Sequence, residues 1–213
     1  MMRKVLAVLV AGIGLATAAG ALAAVVDGTG GDDRLRGTME ADVIRALAGN
    51  DVVNARAGND LVRAGAGDDR VQGDRGSDMV FGGVGADRID TGAADDVAWG
   101  GSGDDRLVGG EGPDALHGGS GNDVVRGGTG DDRLWAGPGS DHVFGGPGDD
   151  TLHALAADHD ADVLDCGAGR DTARVLASER SSTRIRHCEA IVVVTAASAD
   201  DTADESDRDA DAE

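Results

Sequence analysis

Residues 127–135 read GGTGDDRLW. Three glycines and a threonine bury little, two adjacent aspartates carry charge, and only Leu134 and Trp135 have much to pack. A helix is excluded, because interior glycine costs about 1 kcal/mol per position and the apolar spacing is wrong. Working outward, the same nine-residue phase runs without a gap from Gly28 to His153 as fourteen units. Their sixth residue is always aspartate: Asp33, Asp42, Asp51, Asp60, Asp69, Asp78, Asp87, Asp96, Asp105, Asp114, Asp123, Asp132, Asp141 and Asp150. Their eighth is always aliphatic, from Leu35 and Ile44 to Leu152, with Ala98 the smallest. Glycine fills position four in twelve of the fourteen, the exceptions being Glu40 and Ala94.

The pattern predicts six turn-forming residues followed by a three-residue strand whose middle side chain points inward. Such units bury a core only by stacking on one another. Stacked strands lie about 4.8 Å apart, and carboxylates at that spacing repel by about 3 kcal/mol even at an effective dielectric of about 20. A ladder of this kind calls for cations, and oxygen ligands on flexible loops suit calcium better than magnesium or zinc. The plainer alternative makes position six a turn residue only. Position five weighs against it, varying among Asp, Asn, Ser, Ala and Pro while position six never varies.

The units GGSGDDRLV, GGSGNDVVR and GGTGDDRLW resemble the hemolysin-type, or RTX, calcium-binding nonapeptide over residues 28–153 and, more weakly, about twenty residues beyond. The resemblance implies an all-β chain: a right-handed parallel β-roll, or β-solenoid, with two units per turn and loops on alternating edges. It further implies calcium ions between the loop of one unit and that of the unit two further on, held by the position-six aspartates and loop carbonyls. Two columns of seven loops set a ceiling of about twelve sites. The loops GTMEAD (37–42) and TGAADD (91–96) lack the position-four glycine, and units one to four lack glycine at position two, so weaker sites are expected there. The tightest binding is expected over residues 100–153.

Composition agrees with cations as partners. The chain of 213 residues has 36 glycines, four aromatic residues and a formal charge of −21. Nothing basic enough is present to attract nucleic acid or an anionic membrane. At the N-terminus MMRK, the apolar run VLAVLVAGIGLATAAG and Ala21-Leu22-Ala23 predict a Sec signal peptide, residues 1–23, and an extracellular protein with no membrane span after cleavage. An uncleaved anchor helix is the alternative; the run is short and glycine-broken for a span. At the other end, residues 196–213, AASADDTADESDRDADAE, predict a disordered acidic tail.

Between the tail and the roll (24–174), residues 175–195 are expected to form a C-terminal cap. After His153 the phase slips by three residues and resumes with Asp162 and Leu164, then Asp171, before RIRHCEAIVVV breaks it. Cys166 and Cys188 are expected to form a disulfide closing that cap, worth roughly 3 kcal/mol. Two cysteines and five histidines at scattered spacing do not suggest zinc.

Alternation of units between two sheets predicts two unlike outer faces. The odd face carries Arg34, Arg70, Arg88 and Arg106 at position seven, an ordinary solvated surface. The even face carries Phe81, Trp99, His117, Trp135 and His153 at position nine. That stripe is either shielded, by residues 175–195 or by stacking between rungs, or used as a surface for a glycan, a cell-surface partner or a second copy. His117 and His153 are expected to be solvated. The leading functional expectation is an exported, non-catalytic calcium-binding protein that folds when it meets extracellular calcium; the alternative is an adhesin working through the even face. No HExxH or GxSxG motif supports an enzyme.

Overall fold

The computed structural model describes residues 23–195. The expected signal peptide, apart from Ala23, and the expected tail 196–213 lie outside the described residues. Within them the chain forms nineteen strands and no helix. All pairings between neighbouring strands are parallel, and successive strands alternate between two sheets, giving a β-solenoid of about nine turns. One sheet has ten strands, from Val25–Asp27 to Ala190–Val194, and holds the even units; the other has nine, from Arg34–Arg36 to Arg184–Arg186, and holds the odd units. Register follows the repeat: Val80 pairs with Ala98 and Leu107 with Val125, each eighteen residues on.

Position eight supplies the core from both sheets. Ile44, Val53, Val62, Leu107, Leu116, Leu134 and Leu152 are fully buried. At about 1.5–3 kcal/mol per buried aliphatic side chain, this double row is the main apolar stabilisation of the roll. The expected strand length was too short. Most strands run six residues, such as Val97–Ser102, continuing through positions one to three of the next unit. Position one therefore also points inward, as buried Ala46, Ala55, Ala64 and Ala136 show. The glycines read as turn residues belong largely to strands.

Their role there is close approach. A β-carbon at Gly101, whose φ is +110°, would collide with the Gly83 carbonyl oxygen of the preceding rung. Leu47, Arg56 and Asp74 occupy the same position two with φ of 80°, 88° and 76°. Side chains other than glycine are strained in that region by roughly 1–2 kcal/mol. Arg56→Gly is accordingly expected to raise stability by roughly 0.5–1 kcal/mol after the entropic cost of glycine, measured as a higher melting temperature. An unchanged or lower value would mean that the backbone is not strained there.

The C-terminal residues prolong both ladders. Strand Thr172–Leu176 pairs with Thr151–Ala154, and Ala190–Val194 pairs in turn with Thr172–Leu176, leaving Ile191, Val192 and Val193 exposed on the last rung. The slip after His153 is absorbed in a loop, so that His142 pairs with Val163 in unbroken register. Cys166 and Cys188 form the expected disulfide, with a Cα–Cα distance of 5.2 Å. It ties strand Val163–Ala168 to the chain beyond Arg184–Arg186. Closing a loop of 22 residues is worth roughly 3 kcal/mol in the chain-entropy picture.

Candidate metal-binding ladders

The invariant aspartates stand at the turn immediately before each strand, at the two edges of the roll. Each is buried, with 8 % of Asp33 and no more than 2 % of the other thirteen exposed. Their side chains link rungs. The backbone N–H of Asp87 donates to Asp105 Oδ1 at 2.8 Å, that of Asp105 to Asp123 at 2.8 Å, and that of Asp123 to Asp141 at 2.8 Å. The second ladder repeats this through Asp96, Asp114, Asp132 and Asp150. Both continue beyond the fourteen units: Asp141 N–H donates to Asp162, Asp150 N–H to Asp171, and Asp171 N–H to Glu189 Oε2.

The other oxygen has no such role. Oδ2 is buried without a hydrogen-bond partner in Asp51, Asp60, Asp69, Asp78, Asp87, Asp96, Asp105, Asp114, Asp123, Asp132, Asp141 and Asp150, and again in Asp171. Burial pushes these carboxyls up, opposed by the backbone N–H and reinforced by neighbouring aspartates: Asp105 and Asp141 to about 8, Asp78, Asp87, Asp114 and Asp132 to about 7. Ionising a carboxyl held at about 8 costs roughly 6 kcal/mol more than ionising one at the ordinary 3.8. Asp105 and Asp141 together therefore rival the ~5–15 kcal/mol that stabilises a whole domain. As pH rises through 7 to 8 the ladders must hold either protons or a counter-charge.

Whether a hard cation fits is answered by position one. A β-carbon built on Gly100 would sit against the Gly118 carbonyl oxygen and Asp105 Oδ2; on Gly109, against Asp114 Oδ2 and the Gly127 carbonyl oxygen; on Gly118, against the Ala136 carbonyl oxygen and Asp123 Oδ2. The absent side chain leaves a cradle where a carboxylate oxygen and a carbonyl oxygen from successive rungs converge. Among the described residues no three His, Cys, Asp or Glu side chains gather in a way that could hold a metal. One carboxylate per rung makes this inevitable, and backbone carbonyls must complete any coordination, as oxygen-seeking calcium accepts. At unit eight the cradle is filled: Thr91 Oγ1 donates to the Gly109 carbonyl at 3.0 Å.

The N-terminal end is finished differently. Thr29 donates to Asp33 Oδ2 from its N–H at 2.6 Å and from Oγ1 at 2.8 Å. Thr38 N–H donates to Asp42 Oδ2 at 2.5 Å. The missing position-two glycines of units one and two are thus hydroxyl caps that satisfy the terminal carboxylates without a cation. Position five, set aside as variable, forms ladders of its own: Asn50 N–H donates to Asp32 Oδ1 and Asp68 N–H to Asn50 Oδ1. Preference for Asp and Asn at that position was the available signal.

The even face holds its aromatic residues in one column. Phe81 stacks on Trp99 at 4.6 Å between ring centroids, Trp99 on His117 at 5.4 Å, His117 on Trp135 at 4.1 Å and Trp135 on His153 at 4.9 Å, with interplanar angles of 15° or less. Arg63 lies over the free face of Phe81, 5.4 Å from its centroid. The shielding is mutual stacking; residues 175–195 extend the sheet edgewise and do not cover it. His117 and His153 are not solvated. Each is only 5 % exposed, His117 between the indoles of Trp99 and Trp135 and His153 against that of Trp135, and burial lowers both to about 4.

No curated protein matches the chain. A family model described as the RTX calcium-binding nonapeptide repeat, in four copies, matches residues 27–62, 48–80, 55–89, 81–116 and 117–152. Those matches cover more than half of the chain and coincide with the two carboxylate ladders. Carboxylates with one oxygen tied to the backbone and the other left bare are what such a repeat needs, and the chain belongs to the RTX calcium-binding nonapeptide repeat family.

Proposed function

We propose that this is an exported, non-catalytic calcium-binding protein whose folding is driven by extracellular calcium. The observation that carries the reading is the row of buried, unpartnered Oδ2 atoms, costly when ionised and positioned beside carbonyl oxygens. The ligands would be the position-six aspartates with loop carbonyls; the ion would supply positive charge between rungs. Cradles open at position one, as at Gly100, Gly109 and Gly118, support tighter sites than the one occupied by Thr91. Each site adds RT ln(1 + [L]/Kd) to stability, so several sites together suffice to drive folding.

Rolls of this family are generally structural and typically secreted, and no helix among the described residues is long and apolar enough to cross a membrane. The N-terminal residues MMRK followed by an apolar run support export through a cleaved signal. The adhesin reading draws less support. A ring column whose faces are spent on one another offers a glycan only its edges.

Circular dichroism of residues 24–213 at pH 8 tests the proposal. Excess chelator is expected to abolish the β-sheet signal and millimolar calcium to restore it. Full β structure in chelator at that pH would sink it.

A further inference from the structure

The odd sheet carries a feature that the calcium ladders do not use. Arg70, Arg88 and Arg106 occupy position seven of three consecutive strands and stand in direct register. With strands about 4.8 Å apart, three guanidinium groups line roughly 10 Å of an exposed face. Val52 and Val124 bound the run on either side. Like charges stacked on neighbouring strands repel, yet none of the three guanidinium groups has an ion pair, a hydrogen bond or a ring to lie over among the described residues. Other arginines do find partners: Arg45 pairs with Asp27, Arg170 with Asp149, and Arg126 lies over Phe144.

Beside this column, position nine presents Gln72, Asp90 and Val108, and the two columns together line a shallow depression. From this juxtaposition we infer that the depression binds an acidic polysaccharide. The chain of sugars runs along the stacking direction, its carboxylate or sulfate groups on Arg70, Arg88 and Arg106 and its hydroxyls on Gln72 and Asp90. The planar fork of arginine matches both kinds of anion in bidentate fashion. Asp90 selects the class. An ionised carboxylate only accepts hydrogen bonds, so it repels a polymer that is anionic throughout, such as polyphosphate, and accepts from sugar hydroxyls.

The test uses the full-length, calcium-loaded protein and an end-labelled chondroitin sulfate hexasaccharide, which carries carboxylates, sulfates and hydroxyls. Fluorescence anisotropy is expected to show saturable binding that weakens as salt is added. The triple variant R70Q/R88Q/R106Q is expected to lose at least tenfold in affinity, with the calcium-induced circular dichroism signal unchanged because all three side chains lie on the outer face. Arg88→Gln alone, losing at least threefold, carries the same comparison should the triple variant fail to fold. Absence of binding, or equal affinity in parent and variants, would overturn the inference. So would equal binding of a neutral dextran oligomer, or of polyphosphate matched in charge. Displacement by a peptide of residues 196–213 at equal concentration would assign the column to the chain's own acidic end and likewise overturn it.

Discussion

Stripped of calcium, the roll is expected to be most stable near pH 4 and to be lost by pH 8. The carboxyls of Asp105 and Asp141 stand at about 8 in the folded chain and those of Asp78 and Asp114 at about 7, against an ordinary value of 3.8. The folded state therefore holds protons that the unfolded chain has released, and stability falls as pH rises from about 4 through 8. His117 and His153 act with the opposite sign and temper the gain on the acid side. Lowered from 6.5 to about 4, they must stay neutral in the fold, so their contribution is lost as pH falls below 6.5. At pH 5 each costs roughly 2 kcal/mol. Calcium should hold the fold at pH 8, with apparent affinity rising with pH as protons cease to compete. Circular dichroism of calcium-stripped protein from pH 4 to 9 checks this; a signal independent of pH, or one that grows from pH 6 to 8, would refute it. His117→Phe should extend the acid side.

Asp105→Asn and Asp33→Asn are expected to differ sharply. Asparagine at 105 keeps an oxygen to accept from the Asp87 N–H but replaces the bare Oδ2 with a donor. Without calcium at pH 6–7 this change should stabilise the roll, because the fold no longer has to hold on Asp105 a proton that the unfolded chain releases. With calcium at pH 8 it should cost at least about 2 kcal/mol, the scale of leaving a buried charged-site partner unmet, and remove at least one ion from the count in native mass spectrometry. Asp33 ends its ladder with Oδ2 already held by Thr29, so its replacement should cost under about 1 kcal/mol and leave the ion count unchanged. Equal effects at the two positions, or no loss of an ion at Asp105, would detach the ladders from calcium.

The period made the architecture legible. A fixed aspartate and a fixed aliphatic residue, each recurring every nine positions, leave little besides stacked short strands, and both sheets and the alternation of faces follow; the Cys166–Cys188 bridge was legible from the cysteine count. Strand length was misread because glycine ordinarily marks turns. Here Gly83 and Gly101 are strand residues, required by contact between rungs, which no single unit reveals. The bond each aspartate side chain accepts from the preceding rung's backbone was hidden for the same reason. Partners eighteen residues away become visible only when the units are stacked. The histidines were misjudged because a ring alone on a surface is wet, whereas one between Trp99 and Trp135 is not. Threonine at 29 and 38 looked like a defect of the repeat, and only the geometry shows it closing an end.

Alternation between sheets gives the chain a parity. Loss of one nonapeptide, residues 109–117 for example, would send every later unit to the opposite sheet: Trp135 and His153 would join the arginine face, and Phe144 the aromatic column. Loss of eighteen residues would shorten the roll by one rung and leave both faces in order. The three additional residues after His153 are tolerated because they lie in a loop and leave the count of strands unchanged. Growth by duplication must therefore have copied whole turns once either face mattered, and an odd number of copied units would register as an exchange of surfaces before it registered as a loss of stability.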